Sequence, residues 1–216
     1  MKTYKSLFVI TLLLFFSASA AYNALPETKN KVADSPNNIC PLLTGAAIPK
    51  TELQAIDGKS FDLNKAVSEK PTLLIFYRGG WCPYCNKHLQ ALQEIEKDMI
   101  GLGYQILAVS MDRPEKLSET LGKDHLTYTL LSDSKANAVK AFGLAYKLDD
   151  ETLAKYKTYG IDIEGDSGEK HHILPVPAAF IIGTDGIIKF EYINPDYKVR
   201  IDAGLLLSAA KNYVSK

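Results

Sequence analysis

Trp81-Cys82-Pro83-Tyr84-Cys85 places two cysteines three positions apart, directly after the apolar run 72–77 and directly before a helix-like stretch. Residues at positions i and i+3 share one face of a first helical turn, and this spacing suits the roughly 5.5 Å Cα separation of a disulfide. Pro83 occupies a position where a first-turn proline is tolerated. The free N–H groups and dipole of a helix N-terminus lower thiol pKa values to about 3.5–7.5. The pattern therefore indicates a redox-active dithiol.

Two other interpretations of the cysteine pair are a zinc half-site and a purely structural disulfide. A zinc site needs four ligands and usually two such pairs. The remaining candidates for such a site are one cysteine, Cys40, and four histidines, His88, His125, His171 and His172. A disulfide that closes so short a loop contributes little chain entropy. The position between a strand and a helix favours redox chemistry, and we expect neither a metal site nor a cofactor.

The first 20 residues are typical of a signal peptide. Lys2 and Lys5 precede an apolar core at 7–16, and Ala18-Ser19-Ala20 forms a small-x-small cleavage site. The apolar core is shorter than the about 20 residues that a transmembrane helix needs. We therefore expect an exported protein, periplasmic or secreted, with no stable membrane span after cleavage.

Polar, proline-containing residues at 21–39 predict a flexible leader, followed by one domain over 40–216. Basic and acidic residues are balanced at 25 each, which argues against nucleic acid as a partner. If Cys82 and Cys85 pair, Cys40 is left free, resolving or intermolecular.

Strand-like and helix-like patterns alternate along the domain, which predicts an α/β architecture with a parallel core. Asp57-Gly58 indicates a β-hairpin between 51–56 and 60–63. The other predicted strands are 72–77, 105–111, 127–131, 178–182 and 187–193, and the predicted helices are 83–100, 114–121, 134–142, 151–159 and 201–214. Residues 148–174 interrupt the alternation and are interpreted as a surface insertion.

The order of these elements, with Val176-Pro177 directly before a hairpin strand, resembles the thioredoxin fold, in which that proline is cis and lies against the dithiol. A closer resemblance, over about 40–214, is to the alkyl hydroperoxide reductase and thiol-specific antioxidant (peroxiredoxin) family. It is carried by segments 45–49 (GAAIP), 76–85 (FYRGGWCPYC), 107–110 (LAVS) and 175–182 (PVPAAFII). The resemblance implies a central mixed sheet flanked by helices, an N-terminal β-hairpin extension and an insertion before the cis-proline strand. It also implies thiol-dependent peroxide reduction, with a thioredoxin-like protein as reductant.

Peroxiredoxins carry Phe-Tyr-Pro-x-x-x-Thr/Ser-x-x-Cys, and this register places Cys85 at the peroxidatic position. Arg78 stands where the family has proline, Cys82 where it has the hydroxyl residue, and Pro177 where it has arginine before the hairpin strand. By thioredoxin logic, Cys82 attacks and Cys85 resolves. By peroxiredoxin logic, which the register favours, Cys85 becomes a sulfenic acid and Cys82 condenses with it. Either order ends in a Cys82–Cys85 disulfide.

Further side chains are candidates for supporting the dithiol. Arg78 would lower a thiol pKa or hold a peroxide oxygen, the alternative being a surface arginine. Trp81 resembles the tryptophan that flanks the thioredoxin dithiol, and Tyr84 would tune exposure and redox potential. The imidazole of His172, next to His171, would give acid–base help if Pro177 faces the dithiol, the alternative being a solvated loop.

Two other functions remain open from the sequence. One is a periplasmic thiol–disulfide oxidoreductase that acts on protein disulfides. The other is a non-catalytic module that holds client proteins in the groove beside Pro177.

Overall fold

The computed structural model describes residues 31–214, which form nine strands and seven α-helices. The strands are β1 (Glu52–Gln54), β2 (Ser60–Asp62), β3 (Thr72–Phe76), β4 (Gln105–Ser110), β5 (Thr129–Ser132), β6 (Ala145–Lys147), β7 (Ile173–Pro175), β8 (Ala178–Ile182) and β9 (Ile188–Ile193). The helices are α1 (Leu63–Glu69), α2 (Pro83–Gly101), α3 (Pro114–Asp124), α4 (Asn137–Ala141), α5 (Asp150–Thr158), α6 (Ile163–Ser167) and α7 (Ala203–Val214), and a 3₁₀ helix covers Pro36–Asn38.

A seven-stranded mixed sheet in the order β2-β1-β5-β4-β3-β8-β9 forms the centre of the fold. β3, β4 and β5 are parallel, and β8 runs antiparallel to β3 with Phe76 opposite Ala178. Every residue of β3 is buried, as expected for a strand with both faces covered. The predicted α/β fold with a central mixed sheet is confirmed.

The two faces of the sheet bury separate apolar clusters. Leu73 and Ile75 face Leu89 of α2 and Leu206 of α7. The alternate β3 residues Leu74 and Phe76 belong to the other cluster, with Leu63 of α1, Val139 of α4 and Phe180 of β8. Because side chains alternate along a strand, β3 anchors both layers and fixes where its C-terminal end lies. That end leads through 77–81 into α2, whose N-cap is Cys82.

The N-terminal hairpin is confirmed, with Leu53 of β1 opposite Phe61 of β2. Its turn has three residues and not two, because the Ala55 N–H donates to the Lys59 carbonyl and Gly58 has φ +77°. A left-handed residue at the third loop position is usual for hairpins of this length.

The domain begins earlier than Cys40. The Ala33 N–H donates to Ala145 O, and the Lys147 N–H donates to Ala33 O, so residue 33 pairs with β6. The last part of the predicted leader is therefore packed on the domain. The predicted signal peptide and residues 21–30 lie outside the described residues. Across residues 31–214, every helix is too short or too polar to cross a membrane.

The cis peptide bond expected at Val176–Pro177 is a wrong prediction, because every peptide bond within residues 31–214 is trans. The trans form of an X–Pro bond is favoured by about 0.5–1 kcal/mol unless tertiary contacts select the other. Here the flanking backbone is paired: the Val176 N–H donates to Leu144 O, and the Asn194 N–H approaches Pro177 O at 3.5 Å.

Candidate active site

The two thiols of the CxxC segment lie at the N-terminus of α2. Cys82 is the N-cap, Pro83 is the first helical residue, and both thiol residues are only 1% exposed. The N–H groups of Cys85 and Asn86 each donate to Cys82 O at 3.0 Å. Cys82, Cys85 and the exposed Cys40 are all free thiols. The helix N-terminus predicted from the sequence is therefore where the structure places the dithiol.

Cys82 is the more acidic thiol of the pair. Hydrogen bonding with the Cys85 side chain lowers the pKa of Cys82 to about 6, against the opposing effect of burial. The guanidinium charges of Arg78 and Arg200 lower it further. Its N-cap position adds the favourable end of the helix dipole. Cys82 is therefore a thiolate near neutral pH.

Cys85 has the opposite tendency. Burial raises the pKa of Cys85 well above its usual range, and hydrogen bonding with Cys82 and the charge of that neighbour raise it further. Arg200 opposes this shift, since its Nη2 lies 3.4 Å from Cys85 Sγ. The reduced pair therefore consists of a Cys82 thiolate beside a protonated Cys85.

Arg78 is buried in a box of aromatic rings. Its side chain is 2% exposed, and its guanidinium carbon lies 4.8 Å from the centre of the Trp81 ring, 5.4 Å from Tyr156 and 4.0 Å from Tyr197. Arg78 Nη2 also donates a short hydrogen bond to the Tyr156 hydroxyl. The alternative of a surface arginine is excluded, and the charge acts on Cys82 as the sequence suggested.

The aromatic box joins three segments that are remote in sequence. Trp81 comes from the CxxC segment, Tyr156 from α5 of the insertion and Tyr197 from the loop after β9. Trp81 packs on Tyr156 at 5.6 Å, and Tyr84, 44% exposed, meets Tyr197 edge-on at 5.8 Å. The insertion predicted to lie on the surface therefore also forms one wall of the site.

His172 is paired within the insertion. Its Nε2 pairs with Glu164 Oε1 at 2.6 Å within the insertion, where His172 has φ +54°. His171 Nε2 lies 2.6 Å from Ser134 O, and its Nδ1 accepts from the Ile173 N–H. Both imidazoles are thus engaged by the insertion and its neighbours, and the contacts that the structure gives them are with Glu164, Ser134 and Ile173 rather than with the two thiols. Their acid–base role stays a prediction.

Pro177 lies beside the site, with Val176 buried before it. Pro177, His88 and Arg200 line one narrow cavity together with Phe76 and Ile201. Burial lowers the pKa of His88 to about 4, and the charge of Arg200 lowers it further, so this imidazole is neutral. Across residues 31–214, no three His, Cys, Asp or Glu side chains form a cluster suited to a metal ion.

Comparisons with known proteins give the family of the chain. The model of the AhpC/TSA family matches residues 44–191, which include the dithiol and the hairpin β8–β9. The chain belongs to the AhpC/TSA family. Among curated relatives of this AhpC/TSA protein, peroxiredoxin Bcp of Escherichia coli K12 is 29% identical over 174 residues, 80% of the chain and 98% of the relative. Chloroplastic peroxiredoxin Q of Populus jackii is 31% identical over 121 residues, 56% of each protein.

Solved structures agree with this family at the level of the fold. Peroxidoxin BcpB of Mycobacterium tuberculosis superposes with a TM-score of 0.62 at 19% identity, over 79% of the chain and 97% of that structure. Reduced Prx3 of Vibrio vulnificus in complex with hydrogen peroxide gives 0.65 at 16% identity, over 80% and 98%. The resemblance to peroxiredoxins predicted from the sequence is confirmed.

Sequence reasoning missed three of the side chains that this AhpC/TSA site brings together: Arg200, Tyr156 and Tyr197. Arg200 follows Cys85 by 115 positions, and Tyr156 follows Arg78 by 78. None of the three lies in a motif. One signal pointed toward Arg200. Pro177 stands where the family has an arginine, so a cation for Cys85 would have to come from another segment of the chain.

Proposed function

We propose that this AhpC/TSA protein is a thiol-dependent peroxide reductase that cycles Cys82 and Cys85 between dithiol and disulfide. The observation that carries the proposal is the charge arrangement at the N-terminus of α2. The hydrogen bond with Cys85, and after it the charges of Arg78 and Arg200, lower the pKa of Cys82 to about 6, so one of the two buried thiols is ionised near neutral pH. Family membership supplies the reaction class, and the geometry supports the assignment of the residues.

Cys82 is the attacking thiolate in this proposal, and Cys85 is the resolving thiol. The peroxiredoxin register favours the reverse order, since it places Cys85 at the peroxidatic position. The ionisation order favours Cys82, because only the thiolate form of cysteine is a strong nucleophile. The register is the weaker guide here, because Cys82 stands in place of the hydroxyl residue that the register would need for peroxide binding.

The proposed reaction has three balanced steps. The Cys82 thiolate attacks the terminal peroxide oxygen, the O–O bond breaks, and Cys82 sulfenic acid forms while the released alkoxide or hydroxide takes up a proton. The Cys85 sulfur then displaces hydroxide from the sulfenic acid, giving the Cys82–Cys85 disulfide, and the thiol proton leaves with that hydroxide as water. A protein dithiol of the thioredoxin type returns two electrons and two protons by thiol–disulfide exchange.

The supporting side chains have separate proposed roles. Arg78, fixed by its aromatic box, compensates the Cys82 thiolate. Arg200, whose Nη2 contacts Cys85 Sγ, is placed to donate to the peroxide oxygen that leaves. Pro83 begins the helix, Trp81 and Tyr84 cover the thiols, and Val176 and Pro177 form the wall on the side of β8.

The experiment is a comparison of two activities in one preparation of residues 21–216. Hydrogen peroxide consumption and insulin disulfide reduction are measured with thioredoxin and its reductase as electron donor, and the Cys82→Ser/Cys85→Ser double variant is the matched control. We expect peroxide turnover that the control lacks, and mass mapping of the oxidised protein should show a Cys82–Cys85 disulfide with Cys40 still alkylatable. Insulin reduction without peroxide turnover would establish the disulfide oxidoreductase instead. Binding of clients that survives alkylation would indicate the non-catalytic module.

We also propose export to the periplasm or the medium, with cleavage after residue 20. This rests on the composition of residues 1–20 alone. N-terminal sequencing of the protein from cell fractions tests it, and an intact N-terminus on membrane-bound protein would contradict it.

A further inference from the structure

Asp112, in the loop after β4, is a buried carboxylate directly behind the turn that leads into the dithiol. Its side chain is 3% exposed, and its Oδ2 accepts a hydrogen bond from the Gly80 N–H at 2.7 Å. The Asn86 side chain of α2 donates to the Gly80 carbonyl at 2.8 Å. The Gly79–Gly80 turn, two residues before Cys82, is therefore held from both sides.

The two glycines allow this close approach. A Cβ added at Gly79 would lie 2.7 Å from Asp112 Oδ1 and 2.3 Å from the indole nitrogen of Trp81. A Cβ at Gly80 would lie 2.0 Å from the hydroxyl oxygen of Thr120. A residue without a Cβ at position 79 therefore lets the Asp112 carboxylate pack against this backbone, and position 80 has no room for a Cβ beside Thr120.

The titratable groups around Asp112 come from several elements. Tyr77 approaches from the end of β3, Cys85 from α2 and Asp166 from α6 of the insertion. Asp112 and Asp166 line one open groove with the α3 side chains Lys116, Glu119 and Lys123. Lys116 lies 3.9 Å from Asp166, and within residues 31–214 no cation forms an ion pair with Asp112. Burial raises the pKa of Asp112 to about 7, and Asp166 and Cys85 raise it further against the lowering effect of the Gly80 hydrogen bond.

We propose that Asp112 is a positioning residue of the dithiol reaction, which fixes the Gly79–Gly80 turn and places a negative charge behind Cys85. The proposal rests on the dithiol function proposed above. A charged acceptor binds the Gly80 N–H more strongly than a neutral one does. The same charge disfavours a second thiolate at Cys85, because like charges in a buried site repel. Asp112 therefore keeps the reduced pair in its singly ionised form.

The first test compares two acid-to-amide variants. Asp112→Asn keeps an oxygen for the Gly80 N–H and removes the charge, whereas Asp166→Asn removes another acid of the same groove, whose ion pair is with Lys116. The rate of iodoacetamide alkylation of Cys85 is mapped by mass spectrometry from pH 6 to 10 in a Cys82→Ser background. We expect Asp112→Asn to raise the rate at pH 8 by roughly threefold to tenfold, the size of a shift of half to one pKa unit, and Asp166→Asn to raise it by less than half as much.

A folded Asp112→Asn protein whose alkylation profile coincides with that of its parent would overturn the proposal. If the variant does not fold, the Cys82→Ser protein, which keeps Asp112 and lacks the acidic thiol, still provides a test. The amide proton of Gly80, followed by nuclear magnetic resonance in its reduced form, should shift as acid protonates Asp112, because a charged acceptor binds this N–H more strongly. A Gly80 signal that does not move between pH 3 and 9 would contradict the proposal. Neither measurement uses peroxide, so failure of the peroxidase assignment and failure of this inference are distinguishable.

Discussion

At the residue scale, Arg78 places a buried positive charge close enough to Cys82 to lower the pKa of its thiol. A buried guanidinium is costly unless an anion or strong acceptors compensate it. Within the described part of the chain, no carboxylate pairs with Arg78, whose partners are the Tyr156 hydroxyl and three ring faces. Cation–π contacts of this kind contribute about 0.5–2 kcal/mol each. Tyr146 and the Cys82 thiolate add to this compensation, and the pKa of that thiol is lowered by its hydrogen bond with Cys85 and then by the Arg78 charge.

Arg200 gives the residue-scale prediction. Arg200→Ala removes the donor at 3.4 Å from Cys85 Sγ and a positive charge that lowers the pKa of both thiols. A lost hydrogen bond to a charged group is worth about 1.5–3 kcal/mol, so we expect the single-turnover rate with peroxide to fall by roughly tenfold to a hundredfold. The midpoint of the Cys82 titration, at about pH 6 in the wild type, should rise.

Lys198→Ala is the control for Arg200, since it removes an exposed cation from the same loop, 4.0 Å from Asp196. An Arg200→Ala protein with the rate and titration of Lys198→Ala would show that the contact with Cys85 has no catalytic importance.

In the wild type the single-turnover rate with peroxide should decline as the pH falls through about 6, because acid protonates the Cys82 thiolate.

At the scale of elements, the insertion at 148–174, which the sequence predicts to lie on the surface, also forms part of the site. α5 has no fully buried residue, and its half-buried Leu153 and Tyr156 pack against the apolar core. Tyr156 connects it to Arg78 and Trp81. The insertion therefore positions the guanidinium that stabilises the thiolate.

Tyr156→Phe tests this role while it keeps the aromatic ring. The variant loses the acceptor for Arg78 Nη2, and we expect the single-turnover rate with peroxide to fall by roughly threefold to tenfold, with the midpoint of the Cys82 titration raised. Tyr159→Phe is the matched control, because Tyr159 follows the same helix and is 65% exposed. Equal rates and titrations for the two variants would assign Tyr156 to packing alone.

At the scale of the whole molecule, the sequence was most informative where a local pattern determines the structure. β3, α2 and the hairpin β8–β9 have clear periodicity and turn residues, and they carry the dithiol and its register. The three-residue strands β6 and β7 are too short to show a period. The contacts of Arg78 with Tyr156 and of Arg200 with Cys85 depend on how remote segments pack, which no local pattern encodes. The pairing of His172 with Glu164 is another such contact, since nearness to Pro177 in sequence does not fix the partner of its ring.

The proposed order of attack is tested most directly by single cysteine variants treated with one equivalent of hydrogen peroxide and a sulfenic-acid trap. Cys85→Ser keeps a hydroxyl that can hydrogen-bond to Cys82, so it should consume peroxide rapidly and carry the trapped sulfenic acid on Cys82. Cys82→Ser should lose the rapid reaction, and Cys40→Ser should behave as the wild type does. Rapid peroxide consumption by Cys82→Ser, with the trapped sulfenic acid on Cys85, would contradict this account.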